Sequence, residues 1–303
     1  MRTARQYVVL AVMFLAVPVA ALILVPTVPS GYRAFSDSND PTNPFIYIAM
    51  VLLMTGLMIF LIKRSRLGTL RALLMGAMAL GLFSIGSLFM MIGGADELSS
   101  LVFGIALAGI LLYLLIRHPR WYVVNGAGLI LGAGAALILG LSLGPLPALI
   151  LLTALAVYDA ISVYVTKHML TLAEGVGDLG LPIVLVVPGS KGAERRKLDL
   201  RNRSKDAERD VMLMGLGDAI IPSIMVVSAA ANLPPVTATG WPQPAMIVAL
   251  ATLAGAFLGF VSLMFLISKG RPQAGLPFLN GLALFAYAAS YLLVYRDLGF
   301  GIA

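Results

Sequence analysis

The chain has 303 residues, 60% hydrophobic and 12% charged, with a mean hydropathy of +0.96; a soluble domain is about half apolar and a quarter charged, so the excess apolar surface must face lipid. It contains no cysteine, which excludes a disulfide framework, a thiolate nucleophile and a thiolate metal site. The net charge of +7 would suit nucleic acid or an anionic membrane if it covered a folded surface, but nearly all of it sits between apolar runs, which argues against a nucleic-acid partner.

About 20 mostly apolar residues cross about 30 Å of hydrocarbon, and the sequence predicts nine such spans, at 7–25, 45–62, 70–93, 98–116, 121–140, 145–165, 211–231, 244–268 and 275–295. All are read as helices, because backbone in lipid must satisfy its own hydrogen bonds. The expected fold is therefore an all-α polytopic membrane protein with nine transmembrane helices. Residues 1–303 form a single membrane domain, with helices one to six in 1–169, a polar cytoplasmic connection at 170–210 and helices seven to nine in 211–303.

The connections carry a consistent charge pattern. Arg2 and Arg5 precede the first span; Lys63, Arg64, Arg66 and Arg71 surround the second connection, Arg117 and Arg120 the fourth, Lys269 and Arg271 the eighth, and eight Lys or Arg between Lys191 and Arg209 fill the sixth. The odd-numbered connections are acidic or neutral, with Asp37, Asp40, Asp96 and Glu97 among them. By the positive-inside rule the N-terminus is cytoplasmic and the C-terminus outside. A signal peptide is the alternative reading of the first run, but that run is longer than a usual signal core and the alternation works with it kept.

Of the 14 Asp and Glu, two lie inside predicted spans, Asp159 and Asp218. A carboxylate at membrane depth costs several kcal/mol, so such an acid marks a functional site by default. No intramembrane Lys, Arg or His is available to neutralise either one. Asp159 stands eight residues before Lys167 and Asp218 eight after Asp210, so at about 1.5 Å per helical residue each lies roughly 12 Å inside the cytoplasmic boundary. Two carboxylates held together cannot both ionise easily, and such a pair shares a proton. That is the state of an aspartic protease: one acid takes a proton from the attacking water and the other supports the developing oxyanion. The chemistry needs neither metal nor cofactor. His118 and His168 lie beside basic loop residues, away from both acids. The bland alternative is a buried acid pair that only fixes helix packing.

Around the acids the chain reads Tyr158-Asp159 and Gly215-Leu216-Gly217-Asp218, and the glycines are expected to let another backbone come close. This arrangement resembles the presenilin and signal peptide peptidase family of intramembrane aspartic proteases, and the nine spans and the polar sixth connection agree with it. The resemblance implies Asp159 and Asp218 as catalytic residues, and Tyr158, Gly215, Leu216 and Gly217 as their neighbours. It implies as substrates the helices of membrane proteins, or remnant signal peptides, met within the lipid bilayer. The family's Pro-Ala-Leu motif, often followed by another proline, corresponds to Ala274-Gly275-Leu276-Pro277, where Leu276 and Pro277 match and Ala274 and Gly275 depart. Gly275, Leu276 and Pro277 are thus carried as substrate-binding candidates, and Pro277 is expected to leave nearby backbone groups free for an extended substrate. The inside N-terminus looks like presenilin, and the small size looks like the archaeal homologues in a prokaryotic cell membrane.

Residues 181–187, rich in Val and Ile before Pro188-Gly189, look like a strand rather than a span, which Pro182 would confine to a sheet edge. In the family, substrate can add to a strand near this region. Two other classes remain to be weighed: a proton- or cation-coupled transporter using the same acids, and a prepilin-type peptidase, which also carries a GxGD motif. The chain has no matching half to suggest the first, and the Tyr-Asp partner and nine spans argue against the second. Oligomeric state is not legible.

Overall fold

The computed structural model describes residues 4–28, 30–64, 66–118, 120–165, 184–189, 211–234, 243–269, 273–297, 299 and 301. Among them are nine α-helices: α1 (Ala4–Leu24), α2 (Asn43–Lys63), α3 (Leu67–Ile92), α4 (Glu97–Arg117), α5 (Trp121–Ser142), α6 (Pro145–Ala160), α7 (Leu216–Asn232), α8 (Pro244–Ser268) and α9 (Leu276–Tyr295). Helix α6 runs on into a π-helical turn, Ile161–Val165, and two strands, β1 (Val184–Pro188) and β2 (Val211–Gly215), precede α7. Eight of the helices, α6 being counted with its π turn, are long and apolar enough to cross a membrane; α7, at 17 residues, is shorter.

The helix starts follow local chemistry. Asp96 caps α4 by accepting from the Ser99 N–H at 3.2 Å and its hydroxyl at 2.6 Å, which holds the exposed Asp96 carboxyl below its ordinary value. Prolines open α6, α8 and α9, where their missing N–H is one that no helix start can use. In α1 the residues Leu10, Phe14, Val17 and Ala21 form a fully buried stripe.

The seventh predicted span is corrected by the structure. Residues Val211–Gly215 are not helical but pair antiparallel with Val184–Pro188, in the register Val184↔Gly215 through Pro188↔Val211. A short apolar run has no periodicity to separate strand from helix, and here a partner strand satisfies its backbone. The predicted strand at 181–187 is observed over Val184–Pro188; residues 181–183 lie outside the described residues, as do 170–183, 190–210, Lys167, His168 and Arg271 of the other expectations.

The chain forms two compact units. The first comprises residues 1–16, 54–134 and 170–217. In it α3 and α4 approach closely at glycines: a Cβ on Gly86 would lie 3.1 Å from Gly104 Cα, the small-residue contact of membrane helix pairs. Strand β1 packs through Val186 on Leu115, Val124 and Ala127. The Asn125 carboxamide of α5 grips Val186 from the side, and Gln6 Nε2 reaches the Val187 carbonyl at 3.4 Å.

The second unit comprises residues 17–53, 135–169 and 218–303. Its core gathers Leu151, Leu152 and Leu155 of α6, Ile224 and Met225 of α7, Val248 of α8 and Tyr287 of α9. Gly259 of α8 lies against α9, where a Cβ would come within 2.5 Å of the Phe278 carbonyl. Polar side chains lock the helices at intervals. Ser228 of α7 donates to the Leu143 carbonyl at 2.7 Å, and Asn280 of α9 to the Leu152 carbonyl of α6 at 2.9 Å. Bonds of this kind within membranes contribute about 0.6 kcal/mol on average, so their value here is in register more than in stability.

Candidate active site

Asp159 is the penultimate residue of α6 and is 6% exposed. Directly after it the helix widens into the π turn, where the Ser162 hydroxyl donates to the Asp159 carbonyl at 3.0 Å; such widenings are frequent at functional sites. The Asp159 carboxylate accepts the Leu276 N–H at 3.0 Å through Oδ2. Leu276 is the first residue of α9, so its N–H is one of the four that a helix start leaves without an intrahelical acceptor. The carboxylate therefore caps α9 from another helix, at the end where the dipole favours negative charge.

Asp218 is half-buried in the first turn of α7, three residues beyond the end of β2. It faces Gly275: a Cβ built there would lie 3.4 Å from both Cγ and Oδ2 of Asp218. The two carboxyl groups are close enough to act on each other electrostatically. Both acids thus converge on one dipeptide, Gly275-Leu276, with Asp159 on the second N–H and Asp218 against the first Cα.

This geometry changes two sequence expectations. The count of helical residues that set both acids at one depth does not hold before Asp218, because Val211–Gly215 are extended and rise about 3.3 Å each; what brings the two acids together is that both meet the start of α9. Pro277 does not leave its neighbours' backbone free, since the Leu276 N–H is taken by Asp159, and Phe278 and Leu279 both donate to the Gly275 carbonyl at 3.2 Å. Pro277 instead sits in the first turn of α9, where proline is tolerated.

The remaining predicted neighbours are dispersed. Tyr158 is half-buried beside Asp159. Gly215 ends β2 opposite Val184, and Leu216 is buried at the start of α7. Gly217 is exposed, and a Cβ there would meet nothing within 4 Å, so among the described residues no backbone approaches it.

Sequence reasoning passed over two residues that support this site. Tyr164, in the π turn, donates its hydroxyl to Gln273 Oε1 at 2.8 Å and accepts the Ala274 N–H at 3.2 Å, holding the segment that leads into α9. Asn280, fully buried one turn into α9, ties that helix to α6. Among the described residues its Oδ1 has no partner. A search for intramembrane amides as well as acids would have singled it out.

The sequence family described as signal-peptide peptidase, presenilin aspartyl protease matches residues 11–295. Two solved structures, each of a presenilin family intramembrane aspartate protease, in C222 and P2 crystal forms, share 31% sequence identity with the chain. The first superposes with a TM-score of 0.68 over 95% of this chain and 99% of its own. The second gives 0.66 over 93% and 96%. No curated protein matches at a comparable level. Nothing among the matches supports a transporter.

Proposed function

The chain belongs to the signal-peptide peptidase and presenilin family and is an intramembrane aspartic protease, and from that premise we propose that Asp159 and Asp218 are its catalytic pair. The observation that carries the assignment is their convergence on Gly275-Leu276. Of the two, Asp159 has the N–H donor, and such a bond favours the ionised carboxylate. Asp159 accordingly takes a proton from the water whose oxygen attacks the substrate carbonyl, while Asp218 gives its proton to the carbonyl oxygen. The tetrahedral intermediate collapses as a proton passes to the amide nitrogen, and the C–N bond breaks to leave a carboxylic acid and an amine.

The substrate is a single-span helix of another membrane protein or a remnant signal peptide, and the work takes place in a prokaryotic cell membrane with the acids reached by water from the cytoplasmic side. A helix hides its peptide bonds, so the segment to be cut must first become extended. Strand β2, which runs directly into the helix carrying Asp218, offers an edge on which an unwound segment can pair.

Purified protein with a tagged single-span substrate tests the assignment. Asp159→Asn and Asp218→Asn are each expected to lower cleavage by about a thousandfold or more while leaving the helical content unchanged. Wild-type cleavage by either variant would refute the pair.

A further inference from the structure

Alternate residues of an antiparallel strand turn their N–H and C=O to opposite sides. Val186 donates its N–H to Asn125 Oδ1 at 2.8 Å, and Asn125 Nδ2 donates to the Val186 carbonyl at 2.7 Å. Val186 therefore faces away from β2, and its opposite number Leu213 faces away from β1. Pro188 falls in the same phase as Val186, on the outer edge of β1, where its missing N–H costs the ladder nothing. On β2 the backbone of Val211 and Leu213 and the N–H of Gly215 turn outward by the same parity.

The clip is specific. A carboxamide presents one acceptor and one donor side by side, the pair that a residue of a neighbouring strand would offer. Only one orientation of the amide satisfies both bonds. Asn125 is 2% exposed and Val186 1% exposed, so neither bond is shared with solvent, and each is worth making because the alternative is an unpaired buried group.

We infer that Asn125 is a positioning residue that acts as a built-in strand on the outer edge of β1, closing that edge so that an extended peptide segment pairs along β2 alone. The inference rests on strand addition as the mode of substrate capture proposed above. Its consequence follows from spacing. A peptide on the outer edge of β1 would lie three strand intervals, about 14 Å, from one on the outer edge of β2, and only the second lies beside the strand that leads into Asp218. Closing one edge removes an unproductive pairing in the way that natural sheets blunt their edges.

Asn125→Leu opens the edge and Asn125→Asp keeps only the acceptor. With a tagged single-span substrate, Asn125→Leu is expected to raise KM about tenfold, leave kcat within about threefold, and spread the cleavage positions found by mass spectrometry; Asn125→Asp should fall between it and wild type. Wild-type KM and an unchanged product pattern in Asn125→Leu would overturn the inference. So would a parallel loss of kcat, substrate binding and thermal stability, which is what a simple anchor predicts. Should Asn125→Leu not fold, hydrogen exchange on the Asp218→Asn protein decides. Residues 211–215 should gain protection when uncleaved substrate is added and residues 184–187 should not; a gain at 184–187 instead refutes it. Failure here leaves the catalytic pair standing, since Asp159→Asn and Asp218→Asn test that pair separately.

Discussion

The two acids are held in opposite ways. Asp159 lies near the end of a helix that continues past it, buried, with the π turn behind it and a backbone N–H in front. Asp218 lies where a helix has just begun after a strand, half-buried, with an open glycine before it and Gly275 against its carboxyl. One acid is part of the framework, tied to α9 as well as to its own helix. The other depends on its helix start and on whatever enters beside it. In a pair that shares one proton because both carboxyls cannot ionise together, surroundings this different would favour the charge on one of the two.

The largest effect that separates them is on stability. Asp159→Ala leaves the Leu276 N–H without an acceptor in a buried place, which costs about 1–3 kcal/mol, whereas in Asp159→Asn the amide oxygen still accepts it. Asp218→Ala removes no hydrogen bond of this kind and should stay within about 1 kcal/mol of wild type, the scale of a charge at a helix start. Unfolding in detergent should therefore rank Asp159→Ala well below Asp159→Asn and Asp218→Ala, although all three are expected to lose cleavage. Equal losses at both positions would end the distinction between the two acids.

A second measurement sharpens the same contrast from the side of α9. Asn280 donates to the Leu152 carbonyl, but among the described residues its own Oδ1 is unpaired, so it is a poor contributor to stability and a good marker of register. Asn280→Leu removes the bond and the orphan oxygen together, and stability should not fall. Helix α9 is then freer to slide along α6. Since a displacement of 1 Å at reacting groups can cost about a hundredfold, kcat is expected to drop about tenfold. Lower stability with an unchanged kcat would reverse the reading of Asn280.

How much of this was legible in the chain depends on distance along it. Asp159 and Asp218 stood out because a charge inside an apolar run is expensive wherever the helices go, and eight of the nine spans followed from hydropathy alone. The start of α7 did not follow. Val211–Gly215 are as apolar as the helix after them, and only pairing with Val184–Pro188 makes them a strand. The strand propensity of β1 could be read locally, but its partner could not. The contact between Leu276 and Asp159 joins residues 117 positions apart, and no local pattern encodes it. Pro277 shows the cost of local reasoning: proline does free backbone groups in isolation, but the neighbouring N–H had already been taken by another helix.

The smallest effects come from the two glycines beside the acids, and they complete the contrast. A methyl at Gly217 meets nothing within 4 Å and Ala favours a helix over Gly by up to about 1 kcal/mol, so Gly217→Ala should fold at least as well as wild type. Any rise in KM, expected at severalfold with kcat unchanged, then reports what occupies that open space in the substrate complex. At Gly275 the backbone is in an ordinary helical region, with φ −77°, and a methyl would touch Asp218 at 3.4 Å, a normal van der Waals distance. Gly275→Ala should therefore keep cleavage within about twofold, consistent with the alanine that the Pro-Ala-Leu motif carries there, while Gly275→Val, which cannot fit without moving Asp218, should lower kcat by about tenfold. If alanine were as damaging as valine, the space between α9 and Asp218 would have to be closed to any side chain, and the looser of the two acids would prove to be held as tightly as the other.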